Sequence, residues 1–171
     1  MKNTASCKTL FVTVGTTKFD KLVETIISND IIDNIVQSGY NKLIIQRGGG
    51  SCIVNADDIN KLDVECYQFK DSIQDDIASA DLVISHAGAG SVLETLTASK
   101  PLIVVVNEDL MGNHQYELAE KMAEEGHLYF CTCKTLSKTL RSKDLSLLKP
   151  LPPLNECLFG EFVDNVMGVT D

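Results

Sequence analysis

Residues 86–94 combine a histidine, glycines, a serine and a glutamate at a spacing that suits phosphate and sugar binding. They read HAGAGSVLE and follow a branched apolar run, 82–84, which is typical of a buried parallel strand. A strand that turns through glycines into a helix places free backbone N–H groups and the positive end of the helix dipole at the carboxyl edge of a sheet. Glycine lets a phosphate approach the backbone closely, Ser91 adds a hydroxyl donor, and the Glu94 carboxylate can accept hydrogen bonds from two sugar hydroxyls. The stretch therefore predicts a site for a nucleotide diphosphate.

Two simpler interpretations of the same residues stay open. Ser91-x-x-Glu94 is also a capping box, in which both side chains satisfy backbone groups at the start of a helix. Glycines after a strand can also form only a tight turn. The dinucleotide fingerprint G-x-G-x-x-G/A is not met, because Leu93 stands where the third small residue belongs. The pattern therefore disfavours an NAD or FAD enzyme.

A second strand, glycine and helix pattern lies near the start of the chain. The predicted strand 9–14 (TLFVTV) is followed at once by Gly15 and Thr16, and apolar residues then recur at helical spacing. In a parallel sheet both glycine turns lie on the same edge, so we expect Gly15 and Thr16 to face the 88–91 turn across a ligand crevice. An ordinary strand-to-helix turn is the alternative.

A third polar group, Asn113-His114-Gln115, follows the next apolar strand, 102–106. Asn113 is predicted to cap the helix that begins there. Because consecutive strand–helix units are neighbours, the start of this helix should lie beside the 88–91 turn. His114 and Gln115 are then expected to point into the crevice, with Gln115 able to bond sugar hydroxyls. A polar residue at the surface is the alternative for His114.

Three weaker features carry smaller predictions. Thr17 is placed to cap the first helix, with Asp20 as its first-turn acid. The three glycines 48–50 indicate a mobile loop, and Arg47 before them either steers an anionic ligand or belongs to a flexible surface loop. Asp75-Asp76 does not predict a metal site, because adjacent helix carboxylates diverge, and we expect both to be solvated.

Alternating strand and helix patterns predict the fold that positions these residues. Six strands, over 9–14, 42–46, 64–69, 82–84, 102–106 and 128–132, alternate with helical patterns. This indicates an α/β, doubly wound parallel sheet of Rossmann-like type spanning residues 1–150. Residues 151–171 form a stiff connector and a closing helix, which packs on the domain or docks onto a second protein. Its apolar residues are Leu158, Phe159, Phe162, Val163 and Val166.

Composition narrows the classes of protein. A chain of 171 residues is most simply one domain, and a net charge of −9 without a basic stripe argues against a nucleic-acid-binding role. No apolar run approaches the ~18–20 residues that span a bilayer, and the polar amino terminus predicts no signal peptide. Six cysteines without a C-x-x-C pair indicate a reducing, cytoplasmic compartment, with Cys131 and Cys133 packed rather than metal-binding or redox-active.

Three motifs in this order resemble the nucleotide-binding half of GT-B glycosyltransferases: S-H-A-G-A-G-S-x-x-E-T at 85–95, P-L-I-V-V-V at 101–106, and N-H-Q at 113–115. The closer resemblance is to the UDP-N-acetylglucosamine branch that includes the bacterial lipid II–forming transferase. Within this branch, four stretches resemble the small cytosolic subunits of the eukaryotic two-subunit UDP-GlcNAc:dolichyl-diphosphate-GlcNAc transferases. They are FVTVGTT at 11–17, residues 70–91, GNHQ at 112–115 and GHLYFCTC at 126–133. The resemblance covers nearly the whole chain and implies the C-terminal, donor-binding half of a GT-B fold.

The resemblance also implies a role for each matching residue toward UDP-GlcNAc, the donor substrate. The diphosphate is expected to contact Gly88, Ala89, Gly90 and Ser91, with His86 at the mouth of the loop, and Gly15 and Thr16 would face the diphosphate and the acceptor. Glu94 is expected to bind the ribose hydroxyls, and Phe69 and Lys70 to lie along the uracil through backbone groups. The GlcNAc is expected to contact Gln115, with Asn113 and His114 near it. Asn113 stands where much of the superfamily has Asp. No cofactor and no metal are expected.

A GT-B enzyme needs two Rossmann-like halves, and this chain has length for one. The resemblance therefore implies a membrane-anchored partner that supplies acceptor binding and the general base, and recruits the chain to the cytosolic face of the endoplasmic reticulum. The acceptor would be dolichyl-diphosphate-GlcNAc, the transfer inverting, and the closing helix a docking surface. A self-sufficient homodimeric nucleotide-sugar enzyme and a non-catalytic nucleotide-sugar-binding scaffold are the alternatives.

Overall fold

The computed structural model of the chain describes residues 7–109 and 113–152, with the backbone alone for 113–115. The predicted closing helix, with Leu158, Phe159, Phe162, Val163 and Val166, lies outside the described residues. Within the described ranges the structure has six strands and six α-helices, as an α/β pattern predicts, but two helices join the first two strands and only a short 3₁₀ turn joins the second to the third. The strands are β1 (Lys8–Thr13), β2 (Tyr40–Gln46), β3 (Asp63–Tyr67), β4 (Leu82–His86), β5 (Leu102–Val106) and β6 (Tyr129–Thr132). The helices are α1 (Asp20–Ile26), α2 (Asn29–Gln37), α3 (Gln74–Ser79), α4 (Ala89–Thr97), α5 (Asn113–Glu124) and α6 (Leu136–Ser142).

All six strands pair in parallel, in the order β3-β2-β1-β4-β5-β6. The chain winds outward from β1 to β3, then returns to lay β4 against the other side of β1. Loops on either side of this reversal leave in opposite directions and open a crevice at the carboxyl ends of β1 and β4, which is where such sheets bind ligands. The predicted doubly wound, Rossmann-like sheet is confirmed.

The sheet separates two apolar layers, and alternation along each strand decides which residue enters which layer. In β1, Leu10 and Val12 pack with α1, α2 and α6, whereas Phe11 packs on the opposite face with α3, α4 and α5. Central strands β4 and β5 are buried along their whole length, which explains their unbroken apolar runs. Both layers are covered by helices, so the loops at the strand ends are the part of the domain left for a ligand.

Cys131 lies in the first apolar layer, and Cys133 packs against that layer. Burial raises the pKa of the Cys131 thiol to about 12, so this side chain is a neutral core residue at physiological pH. The five cysteines within the described ranges are all free. Among the described helices, none is both long and apolar enough to cross a membrane.

Candidate functional site

A cleft of about 450 Å³ lies at the crevice between β1 and β4. Its walls come from the loops after β1, β3 and β4, the last residue of β2 and the first turns of α4. The lining residues are Gly15, Thr16, Thr17, Gln46, Lys70, Asp71, Ser72, Ile73, Gln74, His86, Gly88, Gly90, Ser91 and Glu94. Most of the site residues named from the sequence are among them, brought together from three separate loops.

The remaining named residues divide into two groups. Ala89 begins α4 between the lining glycines, and Phe69 is 50% exposed beside the cleft without lining it. Asn113, His114 and Gln115 form the first turn of α5, and their side chains lie outside what the structure describes.

The turn from β4 to α4 differs from the capping-box interpretation. Gly88 is the N-cap residue, with φ −77° and ψ 125°, and no side chain caps the helix. Ser91 and Glu94 therefore lie inside the helix instead of at its cap, and neither side chain is hydrogen-bonded within the described part of the chain. The capping box is wrong because the helix starts three residues earlier than that motif requires. The first turn of α4 keeps free backbone N–H groups and an unused hydroxyl and carboxylate at the cleft.

His86, the last residue of β4, fills the space between the two glycine turns. A Cβ atom at Gly15 would lie 2.8 Å from Cε1 of the imidazole, and one at Gly88 would lie 2.2 Å from Nε2. Gly15 also has φ +61°, a conformation that favours glycine. Both glycines are thus required by the histidine ring, a reason that the sequence pattern does not reveal.

His86 is 8% exposed, and its Nδ1 has no hydrogen-bond partner among the described residues. Burial lowers the pKa of His86, and the influence of the Thr13 backbone opposes this shift only in part. His86 is therefore neutral at physiological pH, and it contributes a dipolar group to the cleft instead of a positive charge.

The loop after β3 is held by a charged cluster beneath it. The Lys70 Nζ lies 3.0 Å from both Asp76 carboxylate oxygens, 3.3 Å from Oε1 of Glu65, and 4.1 Å from the centre of the Tyr67 ring. Asp76 is 7% exposed and also accepts a hydrogen bond from the Tyr67 hydroxyl. The prediction that Asp76 is solvated is wrong, because this carboxylate turns inward where a phenol and an ammonium satisfy it, while Asp75 stays exposed.

The glycine loop after β2 is packed against the loop after β1. The N–H of Gly49 donates to the Thr17 carbonyl at 3.0 Å, and a Cβ at Gly48 would lie 2.3 Å from that same oxygen. The Arg47 guanidinium donates to the Gly50 carbonyl at 2.8 Å, so it braces its own loop. Close packing explains Gly48 and also Gly50, whose Cβ would lie 2.0 Å from Oδ1 of Asp20, whereas a Cβ at Gly49 would have ordinary contact.

Asp20 takes part in the same junction. Its carboxylate accepts hydrogen bonds from the Cys52 N–H and the Ser51 hydroxyl, both at 3.0 Å, and the Cys52 bond is the main reason that its pKa is lowered. Asp20 does lie in the first turn of α1, as predicted, but Thr17 does not cap the helix. The Thr17 hydroxyl donates instead to the Val14 carbonyl, and α1 has no side-chain cap.

Gln46 is the lining residue that sequence reasoning missed most clearly. It is 4% exposed, and its Oε1 accepts a short hydrogen bond from the Thr13 hydroxyl, which in turn accepts from the Gly15 N–H at 2.9 Å. The available signal was a polar residue that ends the otherwise apolar run of β2. Within the described ranges, no group of three or more His, Cys, Asp or Glu side chains is arranged to hold a metal ion.

Comparison with known families agrees with this geometry. Residues 9–157 match the model of the glycosyltransferase family 28 C-terminal domain. The chain belongs to this family. The match spans β1 to β6, and with them every loop that lines the cleft.

The chain is also similar to individual proteins. Over 130 residues the chain is 51% identical to the mouse UDP-N-acetylglucosamine transferase subunit ALG13. The aligned region covers 76% of this chain and 11% of the relative. The chain thus spans about a tenth of the length of that curated relative. A solution NMR structure of ALG13 superposes with a TM-score of 0.68 at 33% identity, covering 91% of this chain and 94% of the other.

The fold also matches part of a larger bacterial protein. The crystal structure of Acinetobacter baumannii MurG superposes with a TM-score of 0.61 at 18% identity, over 84% of this chain and 43% of MurG. At this identity the similarity concerns the fold alone. The domain thus shares the fold of less than half of that larger chain.

Proposed function

We propose that this chain is the donor-binding subunit of a glycosyltransferase that moves GlcNAc from UDP-GlcNAc to dolichyl-diphosphate-GlcNAc. One observation carries the proposal: no side chain caps the start of α4 at the cleft, and the side chains of Ser91 and Glu94 line the cleft without a hydrogen bond to any described residue. In a family 28 domain related to proteins named as UDP-N-acetylglucosamine transferase subunits, these are the groups that a nucleotide sugar needs.

The diphosphate would lie at the first turn of α4, against Gly88, Ala89, Gly90 and Ser91. Backbone N–H groups and the helix dipole bind an anion there without a cationic side chain. Gly15 and Thr16, across the cleft, would face the same diphosphate, and His86 would lie between the two turns as a neutral group. The short, fixed loops support this arrangement, because each is held by its own hydrogen bonds.

The nucleoside and the sugar would occupy opposite ends of the cleft. Glu94 would accept hydrogen bonds from the two ribose hydroxyls, and uracil would lie along Phe69 and Lys70 through backbone groups. The Lys70 side chain supports this assignment, since its ammonium is bonded to Asp76 and leaves the backbone of the loop as the available contact. GlcNAc would meet the first turn of α5, with Asn113, His114 and Gln115.

The reaction would be an inverting displacement. The acceptor hydroxyl attacks C1 of GlcNAc, the bond from C1 to the diphosphate oxygen breaks, and UDP leaves with the electron pair. Negative charge developing on UDP would be stabilised by the same N–H groups and dipole, which are fixed before the reaction begins. No metal or other cofactor is required in this scheme.

The acceptor and the general base would belong to a membrane-anchored partner, which supplies the second Rossmann-like half. Superposition on 43% of MurG supports this division, because one half of a GT-B architecture has no second wall to its cleft. Docking would use the closing helix that the sequence predicts, with Leu158, Phe159, Phe162, Val163 and Val166. The complex would assemble on the cytosolic face of the endoplasmic reticulum.

The test is transfer of labelled GlcNAc from UDP-GlcNAc to a dolichyl-diphosphate-GlcNAc analogue. Microsomes from cells that lack their own version of this subunit are assayed with and without the purified chain. We expect activity only when both are present, and its loss with Glu94→Gln but not with Glu24→Gln, an exposed α1 residue. Activity of the chain alone would establish the homodimeric alternative, and full rescue by Glu94→Gln would favour a non-catalytic scaffold.

A further inference from the structure

Gln46 ends β2 beside the loop that follows β1, and it lines the cleft although only 4% of its surface is exposed. A side-chain amide buried to this degree must have its polar atoms satisfied by the protein or by a ligand. Its hydrogen bonds therefore show which end of the amide faces the cleft.

The Thr13 hydroxyl fixes the orientation of the amide. Thr13 is fully buried, and its oxygen already accepts the Gly15 N–H at 2.9 Å. The hydroxyl proton therefore needs an acceptor, and Oε1 of Gln46 provides it. With the amide reversed, Nε2 could donate to the second lone pair of the Thr13 oxygen, but the Thr13 proton would be left without an acceptor among the described residues.

The other end of the amide, Nε2, is left with both of its protons. Nε2 has no hydrogen-bond partner among the described residues. It is not fully enclosed, because within the described ranges the one enclosed side-chain nitrogen or oxygen without a partner is Nδ1 of His86. Since Gln46 lines the cleft, the remaining exposure of Nε2 is toward the ligand space. The cleft thus receives a donor from Gln46 and no acceptor.

We propose that Gln46 is a further ligand-binding residue, whose Nε2 donates a hydrogen bond to the diphosphate of the bound nucleotide. The assignment rests on the proposed function. Phosphate oxygens accept hydrogen bonds without donating any, and Gln46 is joined through Thr13 to Gly15, which faces the same cleft. The one cation that lines the cleft in the described ranges, Lys70, is bonded to Asp76 and Glu65, so neutral donors such as Gln46 have to recognise the anion.

The experiment compares binding of UDP and of uridine to the wild-type chain, Gln46→Glu and Gln46→Ala, by calorimetry or NMR titration. Gln46→Glu keeps the acceptor for Thr13 but replaces the donor with a negatively charged oxygen. We expect its UDP affinity to fall by about tenfold or more, with uridine affinity changed much less, and Gln46→Ala to lose less than Gln46→Glu. The matched control is Gln37→Glu, an exposed residue at the end of α2 that adds the same charge elsewhere.

Equal UDP binding by wild type and Gln46→Glu would overturn the inference and leave the proposed function intact. Parallel losses for UDP and uridine would also overturn it, because they would place Gln46 against the nucleoside. A wild-type chain that binds neither UDP nor UDP-GlcNAc would contradict the proposed function itself, and the inference with it.

Discussion

The imidazole of His86 occupies the space that a side chain at Gly88 would need, since a Cβ there would lie 2.2 Å from Nε2. Gly88→Ala should therefore displace the ring and lower the free energy of unfolding by about 1–3 kcal/mol, the usual cost of overpacking. The cost should shrink in a His86→Ala background, where the ring is absent. A double-mutant cycle by chemical denaturation measures this coupling.

Gly90→Ala is the matched control for that cycle, because a Cβ at Gly90 meets nothing within 4 Å. Its unfolding free energy should stay close to that of the wild type, or rise slightly, since alanine is the better helix former. Additive costs for Gly88→Ala and His86→Ala would contradict the contact between the two residues.

A second prediction ranks three glycines by the reason each is needed. At Gly48, φ is +62° and a Cβ would lie 2.3 Å from the Thr17 carbonyl, whereas at Gly39, φ is +87° and no atom lies within 4 Å. At Gly49 a Cβ would have ordinary contact, 3.5 Å from the Thr16 carbonyl. Thermal unfolding should thus show the largest loss for Gly48→Ala, a loss of about 1 kcal/mol for Gly39→Ala, and little for Gly49→Ala. Equal losses at Gly48 and Gly49 would contradict the packed loop.

Ser91→Ala separates a ligand contact from a helix cap. Since Ser91 lies inside α4 and caps nothing, its replacement should change the unfolding free energy by less than about 0.5 kcal/mol. UDP affinity should fall severalfold, because a hydroxyl donor to the diphosphate is lost. A loss of about 1 kcal/mol in stability with unchanged affinity would restore the capping interpretation.

The buried carboxylate in α3 gives a test with a neighbouring control. Asp76→Asn keeps the shape of the side chain but leaves the Tyr67 hydroxyl and the Lys70 ammonium with a weaker acceptor. We expect a loss of about 1–3 kcal/mol in unfolding free energy. Asp75→Asn, one residue away and exposed, should have almost no effect. Similar effects of the two substitutions would argue against the cluster.

Alkaline pH should destabilise the domain through its buried thiols. Burial raises the pKa of Cys131 from 9.0 to about 12, so above pH 9 the unfolded chain loses this proton while the folded chain keeps it. The contribution of the protonated Cys131 thiol to the free energy of unfolding is complete below pH 9. This contribution is lost as the pH rises toward 12, by up to about 1.4 kcal/mol per pH unit. Raised pKa values of Cys133, Tyr67 and Lys70 act in the same direction.

Cys131→Val should flatten this pH dependence between pH 9 and 11, measured as unfolding free energy by urea denaturation. Cys7→Val, at an exposed position, should leave the slope unchanged. A slope that is the same in wild type and Cys131→Val would assign the alkaline transition to other groups.

The sequence was sufficient for the fold because the hydrophobic periods are clear. Runs such as Leu102–Val106 are short, uniformly apolar and rich in β-branched residues, which favours buried strands, and most of these runs are followed by a helical pattern. The cleft followed from the same pattern, since two glycine turns after parallel strands must share an edge.

Side-chain partners from distant segments could not be predicted in the same way. The bond between Gln46 and Thr13 and the contact of His86 with Gly15 depend on the register between strands. The bond between Asp76 and Tyr67 depends on how helix α3 lies relative to β3. The exact start of α4 was also open, since Gly88 and Ser91 are both acceptable cap residues.

The pairing of Lys70 with Asp76 and Glu65 has a consequence for how a ligand arrives. Its positive charge is already balanced by carboxylates, and the chain carries a net charge of −9, so no long-range attraction draws an anionic nucleotide toward the cleft. Attraction acts only over the short reach of backbone and amide dipoles. Association should therefore be slower than for electrostatically steered ligands, and added salt should not slow it further; by screening the repulsion, it should leave the rate unchanged or raise it.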